Sequence, residues 1–75
     1  MQVSELKVGH QARILSLLPG DRAYRQRLIA MGLLPGTEFT VSRMAPLGDP
    51  IEIVVRGYTL SLRKREANIL HILKL

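Results

Sequence analysis

A chain of 75 residues holds one small domain, and at that size folding removes only roughly 60% of the exposable surface from water, so the core is thin. The absence of cysteine excludes disulfide staples, thiolate metal sites and cysteine nucleophiles, and fits a reducing compartment. Eleven Lys and Arg against six Asp and Glu leave a net charge of +5, which suits acidic proteins, anionic lipid surfaces or nucleic acid as partners.

The N-terminus "MQVSELKVGH" lacks the basic and apolar regions of an export signal, and no segment approaches the roughly 20 apolar residues that span a bilayer. The expectation is a soluble, cytoplasmic chain forming a single domain over 1–75. Ser4-Glu5-Leu6-Lys7 reads as a turn. The first strand is expected over about 10 to 18 in "VGHQARILSLLPG", bounded by Gly9 and Pro19-Gly20. Its inward face is ambiguous, because Ala12 and Ile14 lie in one phase and Leu15 and Leu17 in the other.

The period then changes. In "DRAYRQRLIAMG", Tyr24, Leu28 and Met31 fall at i, i+4 and i+7 with Arg22, Arg25, Gln26 and Arg27 between them, which predicts a short amphipathic helix. Asp21 suits its N-cap and Gly32 the left-handed position that closes it. After the Pro35-Gly36 turn, "TEFTVSRMA" alternates Phe39 and Val41 against Glu38, Thr40 and Ser42, a half-buried strand. "PIEIVVRG" repeats the scheme with Ile51, Ile53 and Val55 inward. Gly57 turns the chain into "YTLSLR", where Tyr58, Leu60 and Leu62 are expected inward. Lys64 to Asn68 reads as one helical turn, and "ILHILKL" is a last strand with Leu70 and Ile72 inward. Five short strands with polar outer faces cannot bury their apolar sides in a flat sheet, so the predicted fold is mainly β: a small barrel with one helix, inserted after the first strand, capping an open end.

Between the second and third strands lies "MAPLGDPIE". Ala45-Pro46-Leu47-Gly48 fits a type I turn, and Pro50 keeps Asp49 extended. A hairpin connection explains everything here except Leu47, an apolar side chain held at a turn tip between two prolines.

The runs "RLIAMGLLPGTEFTV", "APLGDPIEI" and "VRGYTLSLRKREANIL" together closely resemble the FeoA family, over about 10 to 73. The joint pattern of "GLLPG", "APLGDP" and "LSLR" followed by Glu66-Ala67 carries the likeness. The resemblance implies an SH3-like β-barrel with a helical insertion, and an accessory or regulatory role in bacterial ferrous-iron uptake. It implies the FeoB permease, with its cytoplasmic GTP-binding domain, as partner, and a place at the inner face of the cell membrane when bound to it.

No enzyme is visible. There is no phosphate-cradling G-x-x-x-x-G-K-S/T run and no serine elbow with a partnered histidine. No cofactor is expected. His10 and His71 invite a metal reading with Glu5 or Glu66 as carboxylate partners, but they lack ligand spacing, and the expectation is no metal site. Arg56 with Arg63-Lys64-Arg65 makes the densest basic patch. The candidate partner-binding residues are Arg22 and Arg25 on the helix, Leu34, and Pro46, Leu47, Gly48, Asp49 and Pro50 in the loop. A proline-peptide groove is disfavoured, since the chain has no Trp and Phe39 and Tyr58 fall in the inward phase. The function expected is a non-enzymatic accessory protein of ferrous-iron uptake that touches the membrane only through its permease partner. The alternatives are a small basic nucleic-acid-binding barrel, disfavoured by having only three aromatic rings for base stacking, and a metal-responsive module. Exposed strand edges and Leu33-Leu34 leave weak self-association open.

Overall fold

The computed structural model describes residues 1–75. Strands β1 (Gln11–Leu17), β2 (Glu38–Met44), β3 (Ile51–Val55), β4 (Tyr58–Leu62) and β5 (Leu70–Lys74) form one antiparallel sheet in the order β4-β3-β2-β1-β5. Helix α1 (Arg22–Ala30) joins β1 to β2, and the one-turn helix α2 (Lys64–Ala67) joins β4 to β5. The expected count and order of elements hold, with the helix after the first strand.

Alternation places Phe39 and Val41, Ile51, Ile53 and Val55, and Leu70 and Ile72 in the core. Each full burial is worth roughly 1.5–3 kcal/mol. The ambiguity of β1 resolves through a bulge. Ile14 faces Ile72 and Leu17 faces Leu70, but Ser16 is already opposite His71, so Leu15 is the extra residue and swings outward. Ile14 is therefore buried and Leu17 packs on the same core, although they are three residues apart.

Helix α1 is closed at both ends as its sequence predicts. Asp21 Oδ1 accepts from the amides of Ala23 (2.8 Å) and Tyr24 (3.4 Å). At the other end Gly32 has φ +85°, its amide donates to Ile29 O, and the Leu33 amide donates to Leu28 O at 3.0 Å. That is a Schellman closure, and its apolar pair Leu28 and Leu33 is fully buried. Tyr24 and Met31 are half-buried against the core beside Leu28. No helix is long and apolar enough to cross a membrane.

Three local expectations are corrected. The segment expected as a turn over 4–7 is a 3-10 turn over Val3–Glu5, and it sends Val3 and Leu6 into the core. Tyr58 is not inward. It stands 45% exposed at the end of β4, with its hydroxyl donating to Met31 O at 3.2 Å, so its ring length reaches past the core to the end of α1. The third correction concerns the 46–50 loop.

Candidate functional site

The loop between β2 and β3 is not a type I turn. The Gly48 amide donates to Ala45 O at 2.8 Å, but Leu47 has φ +65° and ψ +12°, a left-handed conformation that a type I turn does not contain. Glycine or asparagine is the usual occupant there, because a branched side chain in the left-handed region costs about 1–2 kcal/mol. Leu47 is also 93% exposed. Strain and exposed apolar surface thus fall on the same residue, and neither contributes to the core.

The loop is held at both sides. Ala45 N–H donates to Pro50 O at 3.1 Å across its base. Asp49, extended as expected (φ −139°), accepts from the Lys64 amide at 3.2 Å and pairs with Arg63 Nη1 at 3.8 Å. These contacts anchor the loop to the start of α2.

Beside that anchor, Tyr24, Arg27, Asp49, Arg63, Arg65 and Glu66 line an open cleft of about 370 Å³ between α1, the loop and α2. Glu66 lies at its floor, 3% exposed. One carboxylate oxygen accepts from the Arg63 amide at 3.0 Å, satisfying a free donor at the start of α2, and the other accepts from Arg27 Nη1 at 3.2 Å. The buried carboxylate therefore joins α1 to α2 and sets the position of the surface that carries the loop. The sequence reading missed this role. The signal lay in "RKRE", where an acid three residues after a helix N-cap reaches back to the cap amide.

The other candidates separate. Arg22 and Arg25 are exposed on α1 but do not line the cleft, which takes Tyr24 and Arg27 from that helix. Leu34 is exposed beyond the opposite end of α1 and does not line it. Arg56 does not join Arg63-Lys64-Arg65 in one patch. It sits in the β3–β4 turn, and the five residues of β4 set it about 17 Å along the strand from the other three. The histidines also separate: β1 and β5 do pair, but His71 faces Ser16 while His10 precedes the strand, on the order of 20 Å away along it. His10 Nδ1 accepts from the Lys7 amide, and Glu5 accepts from the Gln2 amide. No three His, Asp or Glu side chains gather in metal-ligating proximity.

A FeoA-domain model matches residues 1–73. The chain is 39% identical over 67 residues to an Fe(2+) transport protein A/Fe(2+) transporter FeoB fusion protein of Porphyromonas gingivalis. That match covers 89% of this chain and 8% of the fusion protein, so the chain spans a small fraction of that relative's length. The FeoA protein of Chlorobium tepidum, solved in solution, is 41% identical with a TM-score of 0.87, over 100% of this chain and 70% of that one. A zinc-complexed FeoA of Stenotrophomonas maltophilia, described as a procaryotic SH3 domain protein, is 27% identical with a TM-score of 0.82, over 96% and 88% of the two chains. Five antiparallel strands curled around one core, with a short helix after the first, match that SH3-like architecture. On these grounds the chain belongs to the FeoA family of ferrous-iron transport proteins.

Proposed function

We propose that residues 1–75 act as one domain and serve as a non-enzymatic accessory to ferrous-iron uptake, docking on the cytoplasmic GTP-binding part of a FeoB-type permease. The observation that carries this reading is Leu47: a strained, almost fully exposed leucine on a loop fixed to the fold from both sides. Residues in sparsely populated backbone regions persist where the surroundings hold them, and they concentrate at functional sites. A rigid apolar tip also loses little entropy on binding. In this reading Leu47 enters a pocket on the permease, with Pro46, Gly48, Asp49 and Pro50 shaping the tip. Arg22 and Arg25, exposed on α1, are the cationic contacts of this reading. The fusion relative supports the choice of partner, since it carries transport protein A and FeoB in one polypeptide.

Binding the permease would place the protein at the inner face of the membrane, with no membrane contact of its own. Crosslinking the purified pair, followed by mass mapping, tests partner and surface together. Links from Lys64, which donates to the anchored Asp49, are expected to the GTP-binding part of the permease. Links confined to Lys7 and Lys74, or none at all, would reject this docking surface.

A further inference from the structure

We propose that the outer edge of β4 receives an extended acidic segment of a partner protein, which adds to the sheet as a sixth strand. The two outer edges of the sheet differ. Along β5 the N-terminal segment provides cover: Ile72 N–H donates to Met1 O at 3.0 Å, and Gln2 bridges to His71. Strand β4 pairs with β3 alone.

The register fixes which groups of β4 are left over. Arg56 and Gly57, with φ +51° and +85°, form a two-residue type I′ hairpin turn, so Val55 and Tyr58 are a hydrogen-bonded pair. Alternation then commits Leu60 (opposite Ile53) and Leu62 (opposite Ile51) to the ladder, and turns the N–H and C=O groups of Thr59 and Ser61 away from it. Neither backbone finds a partner elsewhere in the fold, and both residues are exposed. Outward donors and acceptors at a spacing of two residues are what an added strand satisfies.

Charge selects the occupant. Arg56 stands at one end of this edge, Arg63, Lys64 and Arg65 at the other, and β4 itself contains no acid. Of these four cations Arg63 alone has an ion-pair partner, Asp49. A strand laid along β4 therefore runs between two cationic ends, which favours acidic residues at both ends of the incoming segment. A second copy fits poorly. Antiparallel pairing of β4 with itself sets Arg56 of each copy against the Arg63–Arg65 run of the other, a like-charge contact at both ends. Nucleic acid would meet the charges and leave the Thr59 and Ser61 amides unpaired.

The test uses the full chain and two capped synthetic peptides, EVTVTVE and KVTVTVK, with amide hydrogen exchange read residue by residue. The amides of Thr59 and Ser61 are expected to exchange freely in the protein alone, to slow at least about tenfold with the acidic peptide, and to stay unchanged with the lysine peptide. Ser61→Pro removes one outward donor without touching the β3 ladder, and should keep the fold while abolishing the acidic peptide's effect. If that variant does not fold, the exchange pattern of the unsubstituted chain decides. Protection of both amides in the protein alone, no slowing with the acidic peptide, or equal slowing by both peptides overturns the proposal. The peptides stand apart from the permease, so failure of permease docking and failure of this edge are separate outcomes.

Discussion

The carboxylate of Asp49 accepts a hydrogen bond from the backbone amide of Lys64 at 3.2 Å, tying the loop that displays Leu47 to the first residue of α2. Together with the Asp49–Arg63 ion pair, that contact makes the turn part of the α2 framework, because α2 is itself joined to α1 through Glu66 and Arg27.

Removing that tie should loosen the loop and leave the core intact. Asp49→Ala deletes a charge-assisted acceptor at an exposed position, which costs about 1 kcal/mol of stability. Amide exchange at Gly48 and Lys64 should quicken while that of Ile53 and Ile72 keeps its order of protection. Unchanged exchange at Lys64 would show that the carboxylate does not restrain the loop.

Leu47→Asn tests the strain. Asparagine tolerates the left-handed conformation and offers less apolar surface to water, so the variant should be more stable by about 1 kcal/mol in chemical denaturation. A loss of stability would mean that the leucine side chain contributes to the fold, and the reading of Leu47 as an anchor for a partner would lose its basis.

Glu66 serves two partners, and two substitutions separate them. Glu66→Ala strands the Arg63 amide and leaves Arg27 without its carboxylate, with an expected loss of about 2 kcal/mol. Glu66→Gln keeps an oxygen acceptor for the amide but turns an NH2 donor toward Arg27, so the Arg27 bond is lost with the charge. The Arg27 side chain is 64% exposed and can turn to water, so the loss should be smaller than for alanine, about 1 kcal/mol. Thermal or urea denaturation of the two variants checks the order. Equal losses would place the whole effect in the ion pair.

The sequence carried the strands and the helix well, because alternation in "EFTV", "IEIVV" and "LHI" and the Asp21 and Gly32 ends of α1 are local signals that the packed fold reinforces. Less was legible where one added residue or one dihedral decides the outcome. The bulge at Leu15 makes β1 look like two conflicting phases, and only pairing with β5 shows that both are used. Pro46 and Gly48 fit type I and type II turns alike in composition, so the sign of φ at Leu47 is invisible until the loop is seen closed. Val3 and Leu6 lie in a segment too short to show a period. For the site, Leu47 stood out as unexplained apolar surface, whereas the junction of Glu66 with Arg27 spans 39 residues and needs the tertiary fold. Arg56 failed as part of the basic patch for the same reason: closeness in sequence across a strand is distance in space.

The most direct test of the docking account is the dissociation constant for the cytoplasmic GTP-binding part of a FeoB-type permease, measured for the native chain and for Leu47→Asp with the thermal midpoint of each recorded alongside. The account predicts binding at least about 30-fold weaker in the variant, the weight of a central apolar anchor, with the midpoint preserved. Equal affinity of the two chains at equal stability would contradict it.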